Sequence, residues 1–206
     1  MDAKICGIKN KKILNQIINH KFPPKFVGFI CNYTKSTRYL NFEKLKKLVN
    51  IKKSKNIKFV SVLVRPDNSI LSKIKDLNFD YYQLYDVSPK ETQEIRNKYK
   101  VKIITALTIE NSKDVQKFKK YKDISEIILF DSKGYEKSLR FNHKLLKNLP
   151  DNFTKMIAGN IQYNDNLDKF KEISDIIDLS GSLETQGEKD ISKIDIFLRN
   201  IKKIQI

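Results

Sequence analysis

Apolar residues in this chain gather into short, nearly continuous runs. Eight stand out, at 3–8, 26–31, 57–64, 81–84, 101–106, 126–131, 155–159 and 176–180. Strict alternation would mark a strand with one wet face; unbroken runs of this length mark strands buried on both faces, as in parallel sheets. The stretches between them carry a longer period. Phe42, Leu45, Leu48 and Val49 fall at helical spacing within 41–50, as do Ile70, Leu71, Ile74 and Leu77 within 69–77. Ser88-Pro89-Lys90-Glu91 supplies an N-cap hydroxyl, a proline at the first helical position and a glutamate at the third, close to a capping box. The pattern predicts further helices at 111–121 and 165–173, and a closing one at 190–201 built on Ile191, Ile194, Phe197, Leu198 and Ile201.

Eight strands alternating with helices over 206 residues predict an α/β fold, a single (β/α)8 TIM barrel domain spanning 1–206 at the lower size limit of that architecture. A doubly wound open sheet is the alternative. No Gly-x-Gly-x-x-Gly follows the first run, so the dinucleotide version of that sheet is not indicated.

Composition narrows the function classes. There is no apolar run of about eighteen residues, hence no expected transmembrane span. The N-terminus lacks the apolar stretch of a signal peptide. Cys6 and Cys31 are too few for a disulfide framework, and a reducing cytoplasm is the expected home. The formal charge of +17 raises the question of nucleic acid. Lysine greatly outnumbers arginine, however, and the lysines are spread along the whole chain, whereas nucleic-acid modules cluster basic residues and favour arginine. A solvated lysine surface is expected, with no nucleic-acid or membrane partner. His20 and His143 are isolated and no Cys/His cluster has metal-ligand spacing, so no metal is expected.

Reactive groups in such barrels sit at the C-terminal ends of the strands. Those ends read Cys6, Asn32 with nearby Arg38, Arg65, Gln83, Thr105, Asp131, Gly159 and Ser180. Lys4 and Cys6 share a strand face, so a cation lies one pleat below a thiol and favours its thiolate; a small buried hydrophobe is the plainer reading of Cys6. Asp131 closes the apolar run Ile127-Ile128-Leu129-Phe130. Desolvation there raises a carboxyl pKa and suits a general acid, while a helix cap or turn is the alternative. Gly159-Asn160 and Ser180-Gly181-Ser182 follow the last two strands, where barrels often hold phosphate on backbone N–H groups, although Gly and Ser are also ordinary turn residues. Lys4 and Asp178, each two residues before a rim position on the first and last strands, are expected to pair inside the closed barrel.

Together these segments resemble the phosphoribosylanthranilate isomerase family of tryptophan biosynthesis. Lys4-Ile5-Cys6-Gly7-Ile8 is similar to its opening motif. Val27-Gly28-Phe29-Ile30 with Lys35-Ser36-Thr37-Arg38-Tyr39 is similar to its second strand and following loop, and Phe59–Val64 to its third strand. Gln83-Leu84 matches the start of its Gln-Leu-His-Gly, and Leu129-Phe130-Asp131 its Leu-Leu-Asp. Ala158-Gly159 and Asp178-Leu179-Ser180-Gly181-Ser182-Leu183-Glu184, with Gly187-Glu188-Lys189-Asp190, resemble its C-terminal loops. Four places depart from it. The family's His-Gly is Tyr85-Asp86, its Gly-Gly-Leu is Gly159-Asn160-Ile161, and the glycine of its Ser-Ser-Gly-Val-Glu has moved by one place. Its Gly-Gly-Thr-Gly is replaced by 134–140, which has a single glycine.

The resemblance implies an isomerase that converts an aldose-type aminal to an aminoketose without a cofactor. It implies Cys6 as general base and Asp131 as general acid, Arg38 on the anthranilate carboxylate, and Gln83, Gly159, Asn160, Ser180, Gly181 and Ser182 around a phosphorylated substrate. It leaves association with neighbouring pathway enzymes open. The related isomerisation in histidine biosynthesis relies on paired carboxylates, which Cys6 argues against. The altered glycine loops leave a second reading, a paralogue that binds a phosphorylated ligand or a partner enzyme without turnover.

Overall fold

All eight apolar runs become strands. In the computed structural model, which describes residues 1–132 and 141–205, these are β1 (Asp2–Cys6), β2 (Phe26–Ile30), β3 (Lys58–Val64), β4 (Tyr81–Tyr85), β5 (Lys102–Ile109), β6 (Ile127–Ser132), β7 (Thr154–Ile157) and β8 (Ile176–Leu179). They pair in sequence order and β8 closes on β1, giving a barrel rather than the open-sheet alternative. Every neighbouring pair in the barrel is parallel. The segment 134–140 lies outside the described residues.

The near-continuous runs are explained by two apolar layers. One face of each strand fills the barrel, with Phe26, Val60, Val62, Ile104, Leu129, Met156 and Ile176 among its side chains. The other face packs outward: Val27, Phe29, Phe59, Leu63, Ile128 and Ile177 join the helices in a larger cluster. Burying two faces at once removes the polar alternation that a surface sheet would show.

The helices are α1 (Lys11–Ile18), α2 (Phe42–Val49), α3 (Asn68–Ile74), α4 (Pro89–Tyr99), α5 (Ser112–Gln116) and α6 (Ile191–Ile204). The capping box at Ser88 and Glu91 forms as the spacing indicates. Two differences are informative. Helix α1 is not singled out by the sequence pattern, because only Leu14, Ile17 and Ile18 of it are buried and it opens on two lysines; the Asn10 side chain caps it by accepting from the amides of Lys12 and Ile13. The helix predicted at 165–173 shrinks to a 3-10 turn over Leu167–Phe170. Leu167, Phe170 and Ile173 are the buried residues of that stretch. Their spacing of three is one that a 3-10 turn also places on one face.

After β8 the chain makes a small antiparallel hairpin, β9 (Glu184–Thr185) with β10 (Glu188–Lys189). Gln186 and Gly187 both have positive φ at its tip, as a two-residue hairpin turn requires. The hairpin brings Glu184 and Lys189 back over the barrel mouth, beside Arg38 and Ser180. Among the described residues, no helix is long and apolar enough to cross a membrane.

Candidate active site

Lys4 and Cys6 point into the barrel, as alternation along β1 requires. Lys4 is fully buried, its backbone lies in register with Asp178 of β8, and its Nζ meets Asp178 Oδ2 at 2.6 Å. Burial alone would lower the Lys4 pKa, but Asp178 and Cys6 outweigh it and raise it, so the ammonium stays charged. Asp178 is held above the usual carboxylate range by burial, which Lys4 and Lys189 offset only in part. Its second oxygen, Oδ1, is buried without a hydrogen-bond partner, and the residue lines the cleft.

The thiol sits beside this pair. Gly28 on β2 makes the room: a Cβ there would lie 2.9 Å from Cys6 Sγ and 3.3 Å from Lys4 Nζ. Burial pushes the Cys6 pKa up, and Lys4 and Lys189 pull it down without fully cancelling that effect. Gly7 follows with φ 77°, a conformation side-chain-bearing residues avoid, and a Cβ on it would collide with the Arg38 side chain.

Asp131 opens into the same mouth from β6, facing Cys6 and Asp178 across one cleft of about 400 Å³. Its Oδ2 accepts from Tyr85 Oη at 2.8 Å and its Oδ1 from the Ser132 amide at 2.8 Å. Burial raises its pKa to about 6 against the pull of these two hydrogen bonds and of Lys4.

Arg38, on the loop after β2, lies along the rim. Its Nε and Nη2 donate to Glu184 Oε1 and Oε2 at 2.6 and 2.7 Å, a bidentate clamp. Lys189 Nζ donates to Glu184 Oε1 at 2.6 Å and to the Ser180 carbonyl at 3.0 Å, and Ser180 Oγ donates to the Cys6 carbonyl at 3.0 Å. The hairpin thus ties the loop after β8 to the strand that carries the thiol. Burial tends to raise Glu184, but Arg38 and Lys189 hold it lowered overall.

Gly159, Asn160, Ser180, Gly181 and Ser182 all line the cleft. Gly159 has φ 86° and Asn160 φ 53°. The asparagine occupies the left-handed region, which Asn tolerates better than most residues, so the turn shape survives the loss of a glycine. Asp86 does the same after β4 at φ 53°. Ser182 Oγ is buried without a hydrogen-bond partner.

Several sequence candidates are placed elsewhere. Gln83 is fully buried beneath the mouth and does not line the cleft; its Nε2 donates to Tyr85 Oη at 3.2 Å. Thr105 is not at a strand end, since β5 runs on to Ile109, and its Oγ1 bonds Ser125 Oγ. The Asn32 side chain is bonded to the Val64 backbone, and Arg65 is exposed. The sequence marks Tyr85 only as a departure from a motif; its position two residues after the inward Gln83 is the signal that places it in the barrel. Glu184 and Lys189 were legible only as motif letters. Among the described residues, no group of three or more His, Cys, Asp and Glu side chains is arranged to hold a metal ion.

Comparison with known proteins bears on the family and the fold. A family model described as N-(5'phosphoribosyl)anthranilate (PRA) isomerase matches residues 3–200. The N-(5'-phosphoribosyl)anthranilate isomerase of Clostridium acetobutylicum is 34% identical over 217 residues, covering 98% of each chain. That of Campylobacter jejuni is 34% identical over 209 residues, covering 98% of this chain and all of the relative. Among solved structures, the phosphoribosyl anthranilate isomerase of Thermotoga maritima superposes with a TM-score of 0.85 at 23% identity, covering 98% and 99% of the two chains. A phosphoribosyl anthranilate isomerase in complex with reduced 1-(o-carboxyphenylamino)-1-deoxyribulose 5-phosphate superposes at 0.83 with 22% identity and the same coverage. At these identities the structural likeness speaks for the fold.

Proposed function

The chain belongs to the N-(5'-phosphoribosyl)anthranilate isomerase family, and on that premise we propose that the cleft carries out the family's Amadori rearrangement with Asp131 as general acid and Cys6 as general base. The observation that carries the assignment is their placement. A carboxyl with its pKa raised into the working range and a thiol beside a buried ammonium face one cleft from β6 and β1.

Asp131 protonates the ribose ring oxygen, and the bond from that oxygen to C1 breaks as the anthranilate nitrogen lone pair forms a C1=N iminium. Cys6 then takes the C2 proton. The electrons of the C2–H bond form C1=C2 and relieve the iminium charge, and the enol-amine tautomerises to the aminoketose. The substrate nitrogen is the electron sink, so no cofactor is called for. Each proton-transfer group of this kind contributes on the order of a hundred- to ten-thousand-fold.

The two pKa directions set the resting state. Asp131 titrates near 6 and Cys6 above its usual value, so at neutral pH the one proton they hold between them sits mainly on sulfur. The reactive form has that proton on Asp131 and a thiolate at Cys6. The pair titrates as a unit, and the acid limb of turnover belongs chiefly to Asp131.

The two anionic ends of the substrate have separate holders. Arg38 spends Nε and Nη2 on Glu184, which fixes the plane of the guanidinium and leaves its Nη1 side for the anthranilate carboxylate. The backbone around Gly159-Asn160 and Gly181-Ser182, with the buried Ser182 hydroxyl, takes the phosphate. Expression in a tryptophan auxotroph that lacks this isomerase tests the reading. Growth without tryptophan is expected; no growth despite soluble, folded protein would favour a binding paralogue without turnover.

A further inference from the structure

We propose that Tyr85 is a positioning residue for Asp131: its phenol, oriented from below by Gln83, holds the carboxyl in place and stabilises the carboxylate that forms as the proton leaves. This rests on the reading of Asp131 as the general acid. It concerns a position where the chain departs from the family's Gln-Leu-His-Gly motif, and so assigns a role to a residue that the motif does not explain.

The Gln83 side chain is fully buried on the inner face of β4, and its amide nitrogen lies 3.2 Å from Tyr85 Oη. An amide NH2 can only donate, so the phenol oxygen accepts there. The single phenol proton is thereby directed to Asp131 Oδ2, 2.8 Å away. The other carboxyl oxygen accepts from the Ser132 amide, which belongs to the backbone of β6 and cannot swing. Asp131 is thus held at both oxygens, by one fixed and one oriented donor. Burial raises the Tyr85 pKa well above its ordinary value, and Asp131 adds to that, so the phenol keeps its proton throughout the working range and acts toward Asp131 as a donor.

A donor of this kind favours the ionised carboxyl over the protonated one. Among the described residues, the charged and titratable groups set around Asp131 are Lys4 and Cys6 from β1, Asp178 from β8 and Tyr85 from β4. The adjoining positions on β5 and β7, Thr108 and Ala158, carry no charge. Burial and Asp178 push Asp131 up; Tyr85, the Ser132 amide and Lys4 pull it down. Tyr85 is neutral throughout the working range, and its hydroxyl can be deleted without altering the net charge of the cleft.

That makes Tyr85→Phe the test. The ring remains in the inner layer and only the hydroxyl is lost. At pH below 6, where Asp131 is protonated in the wild type, turnover should fall by about ten- to a hundred-fold, the usual weight of a hydrogen bond to a charged group. The limb of the pH–rate profile that belongs to Asp131 should move to higher pH. The deficit should then shrink as the pH rises, because more of the variant's acid stays protonated. A carbon-13 NMR titration of Asp131 in the ligand-free protein should show the same upward move, independently of turnover.

A purely structural role predicts a uniform loss at all pH values with an unmoved limb, and that result would overturn the proposal, as would an unchanged Asp131 titration. Asp131→Asn is assayed alongside. If Asp131→Asn retains most turnover, the acid assignment itself falls, whatever Tyr85→Phe does. If Asp131→Asn is inactive while Tyr85→Phe matches the wild type across the pH range, only the role of Tyr85 falls.

Discussion

The Lys4–Asp178 pair is the sharpest point at which to break this barrel. Lys4→Met keeps the length and apolar stem of the side chain and removes the charge. It leaves Asp178 buried with Oδ1 already unpartnered and Oδ2 deprived of its 2.6 Å contact. Removing one partner of a buried pair costs about 3–5 kcal/mol, because the remaining charge loses its compensation. For a chain of this size each kcal/mol moves Tm by about 2–4 °C, so a drop of about 6–20 °C is expected. The assay is urea unfolding at pH 7 and again at pH 5. In the variant Asp178 has lost the ammonium it bonds, keeping only the weaker pull of Lys189, and its folded pKa rises further above the unfolded value. The folded state therefore takes up a proton that the unfolded state does not, and the deficit narrows as the pH falls through that raised pKa. Replacing both partners, Lys4→Met with Asp178→Leu, removes the orphaned charge and should recover at least about 2 kcal/mol over the single variant. A loss below about 1 kcal/mol, or a double variant no more stable than the single one, would refute the reasoning.

Other expectations follow from the same geometry. Gly28→Ala places a methyl 2.9 Å from Cys6 Sγ, so steady-state kinetics should show kcat reduced at least about ten-fold with KM little changed, and a stability cost of about 1–3 kcal/mol from overpacking. Asp131→Asn should be more stable than wild type above pH 6, because ionising a buried carboxyl of pKa about 6 costs the fold free energy between about pH 4 and 6. After discount for the opening of Asp131 to the cleft the gain is about 1–2 kcal/mol, and it should vanish below pH 4 in thermal melts. Arg38→Ala should raise KM more than it lowers kcat, since it orients the substrate and moves no proton; equal losses in kcat and kcat/KM would count against that role.

Much of the fold was legible because the strands are buried on both faces. The runs ending at Ile8, Cys31, Val64 and Asp131 announce themselves by lacking polar alternation, and the order of strands and helices then leaves few closures. The pairing of Lys4 with Asp178 followed from parity along two strands that must meet on closure. What stayed hidden depends on contacts between distant segments. Helix α1 has too few buried residues to show a period, and Leu167–Phe170 satisfies helical spacing with a 3-10 turn. Gln83 looks like a strand-end residue in the sequence, but it lies mid-strand in β4 and serves the site through Tyr85. The altered turns looked like erosion in the sequence. In the structure Asp86 and Asn160 adopt the left-handed conformation that Asp and Asn accept more readily than most residues, so two of the lost glycines leave the turns intact. The clamp of Glu184 on Arg38 spans 146 positions and has no local signature.

The account stands or falls on the thiol and the carboxyl acting as a pair. The most direct measurement is consumption of phosphoribosyl anthranilate, followed by the loss of its fluorescence, in wild type, Cys6→Ser and Asp131→Asn, with folding of each verified by circular dichroism. Serine is a far weaker base than a thiolate at neutral pH and asparagine cannot donate a carboxylic proton. The account predicts an active wild type and two folded variants with turnover reduced at least about a hundred-fold. An active wild type whose Cys6→Ser variant keeps most of its turnover would contradict it.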